Sequence, residues 1–259
     1  MNESDADPIL GENAIHWLIC IETYETERKP VLGLSQDWFL GYQDKETCVY
    51  HRRDLENYVL KQTIIGFRGT AVMKDVMDDI KLSKGGSETF PRAEEGVKFV
   101  QEYLDENPEL MLQLTGHSLG GAIARHVGQV LGLGIITFNA AAPPSNPVLT
   151  GPNEIDYHIV FDIISAWQHP NTVRIDKGYR PIKSRSLIPL SWAGKALNDM
   201  VKSHSLTNFS SERKGTIISA EQENKLFKTW FYSLPLILKK YVTYFMLGVG
   251  GRFTIPDIK

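Results

Sequence analysis

A serine between glycines is the residue of this sequence best suited to chemistry. The pentapeptide GHSLG (116–120) has the form G-x-S-x-G, and it lies where an apolar run gives way to small residues. At a sharp strand-to-helix turn, such a serine projects its hydroxyl above the sheet, and a side chain at either glycine would strike a neighbouring element. The pattern predicts that Ser118 is a nucleophile. The alternative is a tight turn with an incidental serine.

A serine hydroxyl is a weak nucleophile, so it needs a base, and the base needs an orienting acid. The segment DYHIVF (156–161) is predicted to be a strand, and Asp162 follows it. Active-site groups of parallel sheets gather at the carboxyl ends of the strands, which makes Asp162 the first candidate acid. Asp176, after the segment NTVRI, is the second candidate. The alternative role for Asp162 is a helix cap or a surface loop.

Three histidines follow Ser118 at a useful distance: His158, His169 and His204. His158 lies inside the predicted strand and is interpreted as structural. His169 comes only seven residues after the candidate acid, whereas His204 lies well downstream of it. His126 falls within the helix that follows the serine and is a poor candidate.

Alternating strands and helices must position these groups. Strands are predicted at 38–43, 47–53, 58–67, 110–115, 133–139, 156–161 and 171–176, and helices at 13–25, 91–107, 119–131, 192–203 and 218–230. In the helix 91–107, apolar residues recur at helical spacing and Pro91 suits the first turn. This alternation predicts a mostly parallel central sheet with helices on both faces.

Three segments of the sequence resemble the class 3 lipases, the fungal-lipase-like branch of the α/β-hydrolases. They are IIGFRGT (64–70), LTGHSLGGAIA (114–124) and ITFNAAAPP (136–144). In the third segment the family more often reads Thr-Phe-Gly-Ser-Pro, so Asn139 departs from its pattern. The resemblance implies an α/β-hydrolase fold.

The resemblance also implies roles for further residues. The segment KSHSLTNF (202–209) is similar to the family's late histidine segment, which favours His204 as the base. Asp162 occupies the place of the family's acid. The oxyanion hole would be the backbone N–H of Leu119, the residue after the nucleophile, together with that of Thr70. Arg68 is expected to pair with a carboxylate behind the site, and His117 to support the turn.

Two apolar segments are relevant to lipid contact. Residues 71–86 occupy the position of the family's lid, with Gly85 and Gly86 as a hinge, although an ordinary surface helix has the same pattern. Residues 226–253 are the most apolar part of the chain and carry scattered lysines. They are predicted to pack in the core, and a helix at a membrane surface is the alternative.

The length of 259 residues and the composition predict a single α/β-hydrolase domain (1–259), with a catalytic core at about 58–210 and a C-terminal apolar helical segment at about 216–253. The net charge of −3 gives no reason to expect a nucleic-acid partner. The N-terminus lacks the pattern of a secretory signal, and no apolar run is long enough to span a bilayer, so a cytoplasmic protein is expected.

These features together predict a serine hydrolase that cleaves carboxylic esters of lipids, either acylglycerols or phospholipids cleaved in the manner of a phospholipase A1. The reaction needs no metal or cofactor, so none is expected. Two alternatives stay open: an esterase or thioesterase on the same fold, and a catalytically silent assembly module.

Overall fold

The computed structural model describes residues 2–25, 35–70, 91–141, 153–162, 171–179, 202–233, 239–240 and 243. Its strands are β1 (Trp38–Gln43), β2 (Thr47–Arg53), β3 (Leu60–Phe67), β4 (Leu112–His117), β5 (Gly134–Phe138), β6 (Glu154–Ile159), β7 (Thr172–Asp176) and β8 (Thr216–Ile218). Its α-helices are α1 (Ala14–Glu22), α2 (Pro91–Glu106), α3 (Leu119–Leu131) and α4 (Ala220–Ser233). Short 3₁₀ helices lie at Glu3–Asp5, Pro8–Asn13 and Leu206–Phe209.

The eight described strands form one sheet whose spatial order follows the chain order from β1 to β8. Strands β3 to β7 pair in parallel, whereas β1, β2 and β8 join the sheet as antiparallel strands at its two edges. The parallel strands place their carboxyl ends along one edge of the sheet. The predicted mostly parallel sheet is therefore confirmed, and the chain has an α/β-hydrolase fold.

Each face of the sheet is covered by helix, as predicted. Because successive side chains of a strand point to opposite faces, Ile64 packs on the side of α1 and Ile65 on the side of α2 and α3. Val100 is fully buried in the second of these clusters, and the other apolar residues of α2 pack around it. The amphipathic pattern of 91–107 is thus explained by burial of one stripe of α2.

The strand that precedes the candidate acid differs from its prediction of 156–161. It ends two residues earlier, at Ile159, because Phe161 has a φ of 71°, which a strand cannot accommodate. The backbone N–H of Asp162 donates to the carbonyl of Ile159 at 2.9 Å, which closes a turn. Asp162 is therefore carried by a tight turn after β6.

The C-terminal helix α4 packs against this turn. The ring of Trp230 lies edge-on to that of Phe161, with 5.6 Å between centroids. Phe227 and Phe231 are also buried, whereas Tyr232 is 57% exposed. The described start of the apolar segment 226–253 thus buries one side in the core.

Several predictions fall on parts of the chain outside the described residues. They concern the lid segment 71–86 with its glycine pair, nearly all of the helix at 192–203, most of 226–253, and His169. Among the described residues, no helix is both long enough and apolar enough to cross a membrane.

A buried ion network fixes α4 to the sheet. One carboxylate oxygen of Glu223 lies 2.8 Å from Nε2 of His158 on β6, and the other accepts from Nε of Arg174 on β7 at 2.9 Å. Burial opposes protonation of His158, but the Glu223 carboxylate, assisted by Asp162 and Asp156, raises the pKa of His158 above its usual 6.5. The same contacts lower the pKa of Glu223 against the opposing effect of burial.

This network predicts a pH-dependent stability. Because the pKa of His158 is higher in the folded state, its contribution is complete below about pH 6.5 and is lost as the pH rises through the folded-state pKa. Between these two values the free energy of unfolding should fall by up to about 1.4 kcal/mol per pH unit. Urea unfolding from pH 6 to 9 measures the slope. Glu223→Gln should remove it, and an unchanged slope in that variant would contradict the assignment.

Candidate active site

The bend at Ser118 joins β4 directly to α3. Its backbone has φ 57° and ψ −125°, a combination that a residue with a side chain rarely adopts. The backbone N–H of Ser118 donates to the carbonyl of Phe138 at 3.3 Å, and the Ser118 carbonyl accepts from Ala141 at 2.9 Å. These bonds to the end of β5 hold the strained residue in place, as in a nucleophile elbow.

Close backbone approaches explain the two glycines of the elbow. A Cβ atom on Gly116 would lie 2.2 Å from the carbonyl oxygen of Gly120. A Cβ atom on Gly120 would lie 2.1 Å from the carbonyl oxygen of Phe67, at the end of β3. Both distances are far below van der Waals contact, so any other residue would displace backbone. Backbone packing on both sides of the serine therefore requires glycine at these two positions.

Asp162 and His204 form a hydrogen-bonded pair. Nδ1 of His204 lies 2.8 Å from Oδ2 of Asp162, and both residues are buried. An ionised carboxylate can only accept, so Nδ1 carries the proton and Nε2 of a neutral His204 has a free lone pair. The structure thus brings together the predicted acid and base, which are 42 residues apart in the chain.

Oγ of Ser118 and Nε2 of His204 are among the buried polar atoms that lack a hydrogen-bond partner within the described part of the chain. An unsatisfied buried polar atom costs about 1–3 kcal/mol, so proteins rarely leave one without a function. The residue next to Ser118 contacts the candidate base directly, since the rings of His117 and His204 lie 4.7 Å apart between centroids. Ser118 and His204 therefore lie in the same part of the molecule, each with a buried polar atom that has no partner among the residues described there.

His117 joins the elbow to the segment that carries the base. Its Nε2 donates to the backbone carbonyl of His204 at 2.7 Å, and its Nδ1 accepts from the hydroxyl of Tyr24 at 2.9 Å. Burial, with the nearby His204, lowers the pKa of His117 to about 3. His117 is therefore neutral and holds one tautomer. These two contacts are how His117 supports the turn, as expected. No pattern in the sequence indicated that Tyr24 would take part.

The predicted oxyanion donors lie on two segments that meet at the elbow. Leu119 begins α3, where backbone N–H groups have no partner within the helix. A Cβ atom on Gly69 would lie 2.6 Å from the carbonyl oxygen of His117 and 3.4 Å from Cβ of Ser118. The segment that ends at Thr70 therefore packs against the elbow. Negative charge that develops beside Ser118 would be favoured by the N-terminus of α3.

The other candidates have different positions. Asp176 ends β7, where its carboxylate accepts from the N–H of Gly178 at 2.8 Å. His158 is hydrogen-bonded to Glu223 of α4, in the ion network described above. His126 lies in α3, as predicted, and is partly buried.

The expectation for Arg68 is wrong as far as the described residues extend. Its guanidinium reaches the carbonyl of Lys45 and the ring of Tyr24 rather than a carboxylate. Next to this turn, Arg92 of α2 does pair with a carboxylate, since its Nε lies 3.1 Å from Glu46. Arg92 also donates to the carbonyl of Arg68 at 2.9 Å, so it ties α2 to the turn after β3.

Several solved structures are similar to this chain. The native Rhizomucor miehei lipase propeptide complex is similar over 64% of this chain and 68% of its own, with 16% identity and a TM-score of 0.44. A deletion mutant of that complex is similar over 77% of this chain and 79% of its own, with 17% identity and a TM-score of 0.46. A mutant form of MDLA from Penicillium cyclopium is similar over 68% of this chain and 81% of its own, with 14% identity and a TM-score of 0.41.

Sequence comparison points to the same part of the molecule as the geometry does. No curated protein matches the chain in sequence. Residues 64–131, which contain the second half of β3, the elbow and α3, match the family model described as lipase (class 3). Over these residues the chain is similar to the class 3 lipases.

Proposed function

We propose that this protein is a serine hydrolase that cleaves carboxylic ester bonds of lipids, with Ser118, His204 and Asp162 as its triad. One observation carries the proposal. His204 is oriented by a 2.8 Å hydrogen bond to buried Asp162, while its other ring nitrogen and the hydroxyl of Ser118 are buried without partners among the described residues. A triad needs this division of roles between the two ring nitrogens.

The first half of the reaction forms an acyl-enzyme. Oγ of Ser118 attacks the ester carbonyl carbon while Nε2 of His204 takes the hydroxyl proton. The oxyanion of the tetrahedral intermediate is bound by the backbone N–H groups of Thr70 and Leu119. As the intermediate collapses, the carbon–oxygen bond to the leaving alcohol breaks and His204 returns its proton to that alcohol. Asp162 stabilises the imidazolium in the meantime.

The second half releases the acid. Water loses a proton to His204 and attacks the acyl carbon, which forms a second tetrahedral intermediate in the same oxyanion hole. Its collapse breaks the bond to Ser118, whose oxygen takes the proton from His204. A carboxylic acid leaves, and the free enzyme is restored.

The substrates that we propose are acylglycerols or phospholipids, which must be reached at a lipid surface. The end of α4 offers one contact, because Lys228 and Tyr232 are exposed there. Aromatic and basic side chains favour the headgroup region of a membrane. The segment 71–86 is the second proposed contact, as a lid.

A covalent probe tests the nucleophile. A fluorophosphonate should label the wild-type protein, and Ser118→Ala should abolish labelling because the probe bonds to an activated serine oxygen. Ser211→Ala, a change at an exposed serine, should label like the wild type. Intact-protein mass spectrometry measures the adduct. A folded wild-type sample that stays unlabelled would favour a catalytically silent module.

Substitution at the acid separates the two aspartate candidates. Asp162→Asn should lower kcat by about 10³–10⁴-fold, because the amide favours the wrong tautomer of His204. Asp176→Asn serves as the matched control and should leave kcat within about threefold of the wild type. Steady-state hydrolysis of a chromogenic ester gives both values. If Asp176→Asn lowered kcat more than Asp162→Asn does, Asp176 would be the acid of the triad instead.

Product analysis tests the substrate class. Incubation with a mixture of phospholipids and acylglycerols should release free fatty acids, detected by mass spectrometry, at a rate that rises when the lipid forms an interface. Ser118→Ala provides the blank. Hydrolysis of short soluble esters or thioesters without such a rise would instead favour a non-lipid esterase or thioesterase.

A further inference from the structure

Asn139 is a fully buried amide directly after the end of β5. Its φ of 45° lies in the left-handed region, which asparagine tolerates better than most residues but glycine tolerates best. Glycine is also the residue more usual here in the family that the segment resembles. The backbone conformation alone would be satisfied by glycine, so the side chain needs a separate explanation.

The amide of Asn139 connects the acid segment to the base segment. Its Oδ1 accepts from the N–H of Ile159, at the end of β6, at 2.8 Å. Its Nδ2 donates to the carbonyls of Ser203 at 3.1 Å and His204 at 3.3 Å. The orientation of the amide is determined by its partners, because a backbone N–H can only donate and a carbonyl can only accept.

The carbonyl of His204 is consequently held from two sides. It accepts from Nδ2 of Asn139, after β5, and from Nε2 of His117, at the end of β4. The segment that carries His204 also bonds to the turn that carries Asp162, since the hydroxyl of Ser203 donates to the carbonyl of Phe161 at 3.1 Å. The peptide that carries the base is thus bonded to the elbow strand and to the acid turn.

We propose that Asn139 is a positioning residue for His204, an inference that rests on the proposed function. It acts through the backbone: by holding the carbonyl of His204, it fixes the direction in which the imidazole leaves the chain. Displacement of a catalytic group by about 1 Å can lower the rate about 100-fold. The role is specific to the base, so turnover should depend on Asn139 more than substrate binding does.

Two variants test this role. Asn139→Gly permits the backbone conformation but removes both donated bonds, and Asn139→Asp retains the acceptor for Ile159 but cannot donate as a carboxylate. Both should lower kcat by about 10–100-fold and leave KM within about twofold. The matched control is Thr137→Val on β5, which removes a buried side-chain bond to Asp156 of 2.8 Å without touching the base segment. It should cost stability but keep the wild-type kcat.

A spectroscopic measurement separates positioning from loss of stability. The proton between Nδ1 of His204 and Asp162 should give a downfield ¹H NMR signal that broadens or shifts upfield in Asn139→Gly and stays in place in Thr137→Val. The proposal is overturned if Asn139→Gly keeps both the signal and the wild-type kcat, or if Thr137→Val lowers kcat equally. If Asn139→Gly does not fold, the same criteria apply to Asn139→Asp. The NMR signal needs no turnover, so an inactive wild type would contradict the proposed function while this test still reports on Asn139.

Discussion

The site depends on one constraint, the left-handed bend at Ser118 between β4 and α3. Holding a residue with a side chain at such dihedrals costs about 1–3 kcal/mol, which the surrounding structure must offset. Two hydrogen bonds do this: the N–H of Ser118 donates to Phe138 at the end of β5, and its carbonyl accepts from Ala141, which follows that strand. Gly116 and Gly120 allow the elbow to close on itself and to pack against the end of β3. Without this bend the hydroxyl would follow the line of the strand into the core.

The candidate acid depends on supports from outside the segment that matches the lipase family model. The turn with Asp162 packs through Phe161 on Trp230 of α4, and His158 of the same strand pairs with Glu223. The family match ends at residue 131, well before α4 begins. Helix α4 is therefore a structural support of the turn that carries the candidate acid.

Sequence patterns predicted most of the elements because apolar periodicity reports burial. The segments WFLGYQ and TCVYHRR became β1 and β2 with the predicted bounds, and α3 spans the predicted 119–131. Periodicity failed after Ile159, because the apolar Phe161 continues the strand pattern although its positive φ ends the strand. Phe161 is buried against α4 and not within the sheet. Its apolar character alone does not distinguish these two positions.

The sequence by itself determined the elbow, because GHSLG is contiguous and its glycines are demanded by backbone packing that any such turn repeats. It also singled out Asp162 and His204, as predictions from chain order and resemblance. Only the tertiary structure decided that these two side chains bond to each other, that Arg92 rather than Arg68 meets a carboxylate, and that Asn139 reaches the carbonyl of His204. The physical reason is distance along the chain: contacts across 40 to 65 residues leave no periodic pattern, so they exist only once the sheet has brought its strand ends together.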